Sequence, residues 1–280
     1  MAEAVPAPFD CPDAQFNLLD GWTWVGCYGG YYLQADLLMP FEHGFFTRQW
    51  QGRGPEVLAG YVSAGVSVHR PKQVHGALVL PASAAAAAPW PDADGLVSDA
   101  GGQSLWVCGA DCTPVLLADP VSGRVAACHA GWRGVAGGIL LEAIKQLEQV
   151  GCRREDLLVA LGPAVSGPCY QVEFTVAAQV AAQMAASLPA QPDTTTALRE
   201  LEICGALSGD TEPDRCRLDI RAASRRQLEL AGVPASQISV CPLCTFSDEL
   251  LFHSWRRDQV KAVQWSGIVS QQLPSQQLPS

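Results

Sequence analysis

The chain has 280 residues, of which 48% are hydrophobic and 16% are charged, and its formal net charge at pH 7 is −10. This balance is typical of a globular protein with a substantial core and excludes an intrinsically disordered chain. The acidic balance also argues against binding to a nucleic-acid polymer, whereas a local arginine cluster can still hold a small anionic substrate.

Cysteine usage and the absence of long apolar runs indicate the cellular compartment. The 11 cysteines are scattered along the chain without the spacing of a small disulfide framework, which is typical of a reducing environment. The first residues, MAEAVPAPFDCPD, carry acidic side chains and no apolar core, unlike a secretory signal. No apolar run approaches the length of a membrane span. We therefore expect a cytoplasmic protein that does not bind membranes.

Local patterns predict alternating strands and helices. Residues 1–15 are interpreted as a loose leader, and the aromatic stretch 22–39 predicts one or two strands broken at Gly29-Gly30. The tail over 271–280 repeats QQLPS and is expected to be disordered. The remaining predicted elements are a strand (77–80), an alanine-rich loop (81–92), two hairpin strands (115–118 and 125–128), a helix (135–150), a strand (157–161), a helix (172–188), an irregular polar excursion (189–216), a helix (218–231) and a strand (238–240).

The hairpin carries the strongest chemical signal in the sequence. Two short apolar runs flank turn residues at 119–123, which is typical of buried antiparallel strands. Cys112 lies at the start of the first strand and His129 at the end of the second, so the hairpin brings them to one end of a sheet. A cysteine and a histidine offered from strand ends suit either a metal site or a nucleophile–base pair.

His75 is the third candidate metal ligand, because it precedes a glycine at a strand start much as His129 precedes Ala-Gly. Catalytic zinc sites use three protein ligands and leave a fourth position to water, whose pKa falls towards ~7. The same atoms also allow a metal-free Cys112 nucleophile with His129 as its base, and the spacing leaves both alternatives open. A C-x-x-C at 241–244 has no second pair at zinc-ribbon spacing and is a weaker metal candidate.

Four arginines are candidates for binding an anionic substrate. Arg133 lies in the glycine-rich turn before the 135–150 helix, where exposed backbone N–H groups also favour an anion. Arg48 follows two phenylalanines and a threonine. Arg256 and Arg257 are adjacent in a segment interpreted as a strand, so one is expected to face a site and the other to pair with an acid.

Five motifs occur in order along the chain: QVHG (73–76), ADCTPVLLAD (110–119), HAGWRG (129–134), GPAVSGPCY (162–170) and FHSWRRD (252–258). Together they resemble the laccase-domain family over residues 41–268. That family was first described as multicopper polyphenol oxidases, is also known as peptidoglycan editing factors, and is now regarded as purine nucleoside phosphorylases and adenosine deaminases.

The resemblance implies a fold, a site and an activity. The expected fold is a single α+β domain over residues 16–270, with layered mixed β-sheets and outer helices in an αββα-like arrangement. The family's metal ligands correspond to His75, Cys112 and His129, which would hold one zinc ion, or copper, at the catalytic centre. Arg48 matches an arginine near the pocket. The implied substrates are phosphate with adenosine, inosine or methylthioadenosine, which yield free base and ribose 1-phosphate, and adenosine is also expected to be deaminated.

After Arg48 the segment QWQGRGPEVLAG is shorter than in most family members and lacks their Gly-Gly-x-Ser and Leu-Asn elements, which affects the substrate side of the pocket.

Other function classes remain open. A multicopper oxidase of phenols needs more histidines than the five present, although one copper ion suits the three-ligand site. A metal-free Cys–His amidase acting on peptidoglycan precursors and a binding protein without turnover are further alternatives. The sequence does not determine the oligomeric state.

Overall fold

The computed structural model describes residues 18–27, 30–187 and 193–271. The predicted leader over 1–15, the tail beyond Gln271 and Gly29 of the predicted strand break lie outside the described residues. The described part contains fifteen strands in three sheets together with seven helices. The prediction of an α+β fold with layered mixed sheets is confirmed.

The strands are β1 (Trp22–Cys27), β2 (Gly30–Ala35), β3 (His43–Phe46), β4 (Ser67–His69), β5 (Val79–Pro81), β6 (Gly95–Val97), β7 (Gln103–Gly109), β8 (Thr113–Ala118), β9 (Val125–Ala130), β10 (Leu158–Leu161), β11 (Gln171–Glu173), β12 (Leu207–Gly209), β13 (Arg215–Leu218), β14 (Ile238–Val240) and β15 (Gln264–Val269). The helices are α1 (Pro55–Val62), α2 (Trp132–Ala136), α3 (Ile139–Gln149), α4 (Phe174–Ser187), α5 (Thr194–Ile203), α6 (Ile220–Leu230) and α7 (Trp255–Asp258).

Two six-stranded sheets form the centre of the molecule. The first sheet has the order β1-β2-β3-β15-β7-β4 and the second the order β14-β10-β8-β9-β6-β5. A third, small sheet has the order β11-β13-β12. Parallel pairs (β4 with β7, β5 with β6, β10 with β14) occur beside antiparallel pairs, so both large sheets are mixed.

Alternate residues of the central strands supply two different cores. On β8, Leu116 packs between the two large sheets, whereas Val115 and Leu117 face the helices α2, α3 and α4. On β9, Ala127 faces the space between the sheets and Cys128 faces the helices. A strand buried on both faces must be apolar at every position, which explains why these runs are continuous rather than alternating.

A third core cluster covers the outer face of the first sheet. It contains the buried aromatic rings of Phe46, Trp50 and Trp106, and α1 contributes Leu58 and Ala59. The order of layers is therefore helix α1, first sheet, second sheet, helices α2 to α4, as the αββα-like expectation requires.

The predicted hairpin is confirmed and its turn has an identifiable cause. β8 and β9 pair in register from Thr113 opposite Ala130 to the turn. The carboxylate of Asp119 accepts hydrogen bonds from the backbone N–H of Val121 (2.9 Å) and the hydroxyl of Ser122 (2.6 Å). An aspartate that bonds its own turn in this way fixes the strand register.

Two predicted segments were wrong. Residues 189–216 are not irregular, because the described part of that segment contains α5, β12 and the start of β13. The side chain of Asp193 accepts the N–H of Thr196 and so caps α5. Residues 252–258 are not a strand either, since Ser254 accepts the N–H of Arg257 and starts the short helix α7.

The predicted helix over 135–150 is divided into α2 and α3. Gly138, between them, has a φ of 79°, a left-handed conformation that glycine adopts without strain. A Cβ on Gly137 would lie 2.9 Å from the Cβ of Ala77, so the chain also needs a residue without a side chain there.

Among the residues described, no helix combines the length and the apolar composition of a membrane span.

Candidate functional site

The structure brings together the three candidate metal ligands His75, Cys112 and His129. One ligand atom from each residue lies within 4.8 Å of the other two. The two imidazole rings have their centroids 4.8 Å apart and are nearly perpendicular, at 84°. His75 is exposed, Cys112 is half-buried and His129 is buried, so the cluster opens to solvent on the His75 side.

Backbone register explains how Cys112 and His129 meet. Cys112 immediately precedes β8, and His129 lies on β9 opposite Pro114. Since side chains alternate along a strand, His129 points away from the helix-side core that Cys128 enters. A Cβ on Gly131 would lie 2.8 Å from the Cys112 sulfur, so glycine in the HAGWRG motif leaves space for this thiol.

Asp94 joins the His75 loop to His129. One carboxylate oxygen, Oδ1, accepts hydrogen bonds from the backbone N–H of His75 (2.9 Å) and from Nδ1 of His129 (2.9 Å). Oδ2 accepts the N–H groups of Val74 (3.1 Å) and Gly76 (2.7 Å). The sequence analysis missed this residue, whose only local signal is an aspartate before a glycine at the start of a buried strand.

Asp94 also stabilises an unusual backbone conformation at His75, whose φ is 61°. A non-glycine residue in the left-handed region is uncommon and concentrates at functional sites. Three consecutive N–H groups converge on one buried carboxylate, and this convergence holds the turn that presents His75. The ring of His75 is thereby directed to Cys112 and His129, although it is far from them in sequence.

The donor set fits a single borderline metal ion. A thiolate and two imidazoles match the ligands that zinc takes in three-ligand catalytic sites. His129 bonds Asp94 through Nδ1, which leaves Nε2 as the ring nitrogen for a metal and gives the carboxylate–histidine arrangement typical of metal sites. The residues present therefore fit the group that the resemblance implies.

Electrostatics at the cluster favour a thiolate. Burial alone would raise the pKa of the Cys112 thiol, but hydrogen bonds from His129 and His75 outweigh burial and lower it to about 6. Burial lowers the pKa of His129, yet its hydrogen bonds to Asp94 and Cys112 prevail and raise it to about 9. A thiolate is the form of cysteine that binds a metal or attacks a carbonyl.

Asp111 ties the Cys112 loop to α7. Its Oδ1 accepts the hydroxyl of Thr245 (2.8 Å) and its Oδ2 accepts the backbone N–H of Arg256 (2.6 Å) in the first turn of α7. The φ of Asp111 is 101°, so a second strained residue adjoins a candidate ligand. This connection spans more than a hundred residues of sequence and was not predicted.

Two of the four predicted substrate-binding arginines, Arg133 and Arg256, act on Tyr170, which the Cys112 thiolate also reaches. The guanidinium of Arg256 lies 4.8 Å from the ring centroid of Tyr170, and that of Arg133 lies 4.4 Å from that of Trp132. Burial raises the pKa of Tyr170 to about 12; the Cys112 thiolate adds to the rise and both arginine charges oppose it. These residues are therefore within electrostatic reach of one another.

Arg48 and Arg257 contact the loop before α7 instead. Arg48 donates from Nη1 to the carbonyl of Glu249 at 2.7 Å. The guanidinium of Arg257 donates to three backbone carbonyls and to Asp258, and so uses both terminal nitrogens and Nε within the protein. Arg257 pairs with an acid, as one of the two adjacent arginines was expected to do.

A cavity of about 320 Å³ adjoins the cluster. This volume lies at the lower end of the range for small-molecule sites. The described residues that line it are Gln73, His75, Cys108, Gly109, Ala110, Cys112, His129, Trp255, Val260, Lys261, Ala262 and Val263. The sequence analysis did not identify residues 259–263 as part of a site, because no motif marks them.

The other histidines do not extend the donor set. His43 and His69 are buried, and each uses both ring nitrogens in hydrogen bonds to the protein. Within the described residues, His75, Cys112 and His129 form the one cluster of three or more candidate metal donors. A blue copper site together with a trinuclear copper cluster needs more histidines than this arrangement supplies.

Comparison with known proteins identifies the family. The family model described as multi-copper polyphenol oxidoreductase laccase matches residues 56–270. The chain is 42% identical over 262 residues, 90% of its length and 98% of the relative's, to a Synechocystis sp. protein named purine nucleoside phosphorylase slr1573. It is 39% identical over 172 residues to purine nucleoside phosphorylase YlmD of Geobacillus stearothermophilus, a match that covers 60% of this chain and 56% of that protein.

A solved structure agrees with this comparison. The crystal structure of YlmD from Geobacillus stearothermophilus superimposes with a TM-score of 0.73 at 27% sequence identity, covering 89% of this chain and 99% of that one. The matched residues 56–270 include all three members of the donor cluster. The chain belongs to the multi-copper polyphenol oxidoreductase laccase family.

Proposed function

We propose that this chain is a zinc-dependent purine nucleoside phosphorylase that acts on adenosine, inosine and methylthioadenosine. The observation that carries the proposal is the cluster of His75, Cys112 and His129 beside a cavity of small-molecule size. The near full-length similarity to a protein named purine nucleoside phosphorylase supports the choice of reaction. The substrates are then a purine nucleoside and phosphate.

His75, Cys112 and His129 would hold the zinc ion. When bound, the ion supplies positive charge that stabilises developing negative charge in the transition state. The residues around it set its surroundings: Asp94 orients the His129 ring, and Gly131 leaves space for the thiolate.

The reaction transfers a ribosyl group. A phosphate oxygen forms a bond to C1′ of the ribose while the bond from C1′ to the purine nitrogen breaks, and the purine leaves with the electron pair. The proton of hydrogen phosphate ends on the purine, so the products are the free base and ribose 1-phosphate, or 5-methylthioribose 1-phosphate when the substrate is methylthioadenosine. Cationic side chains must attract and orient the phosphate, and Arg133 and Arg256 contribute positive charge around Tyr170, which the Cys112 thiolate also reaches.

Adenosine deamination is a second reaction proposed for the same cavity. Water would replace the amino group at C6 of adenine, and ammonia would leave. Zinc deaminases use a glutamate beside the metal as the general acid and base. Because no aspartate or glutamate is among the described residues that line the cavity, phosphorolysis is the reaction that the geometry favours.

The decisive experiment follows adenosine with and without phosphate and identifies the products by chromatography. We expect adenine and ribose 1-phosphate to form only with phosphate, and metal analysis to find one zinc ion per chain. Inosine as the sole product under both conditions would overturn phosphorolysis. Retained zinc with no turnover of any nucleoside would instead indicate a binding protein.

Cys112→Ala tests the site, and Cys128→Ala is the matched control. Removing the Cys112 sulfur takes away the only charged ligand, so zinc and nucleoside turnover should both be lost, with turnover at least about 100-fold lower. Cys128 is adjacent to His129 but packs into the helix-side core, so its variant should lose some stability and keep its zinc. The opposite pattern would show that the ligand cysteine is misassigned.

A metal-free amidase is the second candidate, because Cys112, His129 and Asp94 have the order of a nucleophile, a base and a residue that orients the base. The two functions differ in their response to chelators. A cysteine amidase would react rapidly with an alkylating reagent and be indifferent to chelators. The zinc enzyme should be alkylated at Cys112 slowly until a chelator removes the metal.

Copper loading without an intense thiolate–copper absorption would argue against a copper oxidase.

A further inference from the structure

We infer that residues 255–263 form the substrate-binding wall of the metal cavity, in which Lys261 binds the phosphate and Trp255 packs against the purine. This inference rests on the proposed phosphorylase function and assigns its two substrates to named side chains. Trp255, Val260, Lys261, Ala262 and Val263 line the same cavity as the three candidate ligands.

Lys261 differs from the other lysines of the chain. The sequence contains three lysines, and Lys72 and Lys145 form ion pairs with Asp92 (3.0 Å) and Glu142 (3.4 Å). No ion pair or hydrogen bond joins the ammonium of Lys261 to any other residue in the part of the chain described. In an acidic protein, a lysine without an acidic partner beside the cluster of His75, Cys112 and His129 is available to an incoming anion.

None of the four arginines predicted to bind the substrate is among the described residues that line the cavity. Lys261 is the one lysine or arginine among the described residues that line the cavity. Arg48 and Arg257 are bonded to the loop before α7, and Arg256 donates to the carbonyl of Gln171 at 2.8 Å. A lysine ammonium is a flexible point charge that binds phosphate oxygens well. Of the two substrates in phosphorolysis, phosphate is the anion, so we assign it to Lys261.

The apolar members of the wall suit the purine. The exposed fractions are 51% for Trp255, 60% for Val260 and 41% for Val263, all unusually high for large apolar side chains. A group of exposed apolar side chains around a cavity marks a binding surface. The indole of Trp255 offers a flat face large enough for a purine ring, and aromatic stacking of this kind contributes both affinity and orientation.

The wall is held in place at both ends. Asp111 bonds the N–H of Arg256 at 2.6 Å, so the start of the wall is tied to the residue next to Cys112. At the other end of the wall, the side chain of Gln264 accepts a hydrogen bond from the N–H of His253 and donates one to its carbonyl. Between them the N–H of Ala262 donates to the carbonyl of Val260 at 2.8 Å, a tight turn centred on Lys261. These bonds fix the wall relative to the metal ligands.

Steady-state kinetics of two variants test the assignment. Lys261→Met should raise the KM for phosphate by about 10- to 100-fold, the loss expected for one charged hydrogen bond, and change the KM for adenosine by less than about twofold. Trp255→Ala should raise the KM for adenosine by about tenfold and leave the KM for phosphate nearly unchanged. Lys145→Met is the matched control, and all three variants should retain one zinc ion.

Calorimetry with inorganic phosphate alone separates this inference from the proposed function. Phosphate should bind the zinc-loaded wild-type protein and bind Lys261→Met about 10- to 100-fold more weakly, whether or not nucleosides are turned over. If the wild-type protein splits adenosine and Lys261→Met keeps the same KM for phosphate, the inference is wrong and the function stands. If no nucleoside is split but phosphate binding depends on Lys261, the function is wrong and the phosphate site stands. Equal phosphate binding by both proteins overturns the inference in either case.

Discussion

At the scale of single residues, Asp94 explains how a histidine distant in sequence becomes part of the cluster. Its carboxylate is fully buried and accepts four hydrogen bonds, three from consecutive backbone N–H groups and one from His129. Burial raises the pKa of Asp94, but the hydrogen bonds from His129, Gly76 and Val74 outweigh it and leave the pKa below its ordinary value. The charged carboxylate is therefore the form that holds the site together.

Asp94→Asn is expected to lower zinc affinity by about 10- to 100-fold, the range seen when a residue that orients a metal ligand is replaced. The amide places two donor hydrogens against N–H groups that need an acceptor, so the turn that presents His75 loosens. Chelator competition measures the affinity, and circular dichroism checks that the variant folds. Asp92→Asn is the control, because Asp92 is exposed and pairs with Lys72 at the surface. Equal zinc affinity in both variants would refute this role for Asp94.

At the scale of elements, α7 depends on a distant loop. A four-residue helix is too short to be stable alone, since helix nucleation is unfavourable and few internal bonds form. Ser254 caps its start, and Asp111 satisfies the N–H of Arg256 from a loop preceding β8. The position of Trp255 is therefore fixed by contacts from outside the helix.

Asp111→Asn should reduce the free energy of unfolding by about 1–3 kcal/mol, because one buried donor loses its acceptor. It should also raise the KM for adenosine more than that for phosphate, since Trp255 adjoins the lost bond. Urea denaturation and kinetics measure the two effects. Asp258→Asn, at the opposite end of α7 where Arg257 keeps three carbonyl acceptors, should have a smaller effect on both. A larger effect at Asp258 would contradict this account.

At the scale of the whole molecule, a buried histidine in the first sheet should make the free energy of unfolding depend on pH. His43 on β3 is fully buried, donates from Nδ1 to the carbonyl of Phe41 (2.8 Å) and accepts the N–H of Ala35 (2.9 Å) at Nε2. Only a neutral ring makes both bonds. Burial lowers the pKa of His43 below its ordinary value of 6.5, and the bond to the carbonyl of Phe41 opposes this only in part.

We expect the free energy of unfolding to fall as the pH drops below about 6.5, because the unfolded chain then binds a proton that folded His43 excludes. Burial also lowers the pKa of His253, which acts in the same direction. Urea denaturation between about pH 7.5 and about pH 5.5 measures the slope. His43→Gln should be less stable at neutral pH and show a smaller slope. An NMR titration that places the pKa of His43 above 6.5 would exclude this mechanism.

Sequence patterns alone predicted the elements that local chemistry controls. Continuous apolar runs around the Asp119 turn predicted β8 and β9. This was sufficient to place Cys112 and His129 at one end of a sheet. The position of His75 before a glycine at a strand start added the third candidate ligand, and the motifs added the family. The structure shows the three side chains together.

Only the tertiary structure determined how the candidate ligands are supported and where the cavity beside them lies. The turn at His75, the bonds from Asp94 and Asp111, and the wall over 255–263 all depend on contacts between residues far apart in sequence. A short helix such as α7 carries too little intrinsic helix preference to be recognised locally. Periodicity and turn chemistry act over a few residues, whereas these contacts form only when the two large sheets pack against each other and bring their loops to one edge.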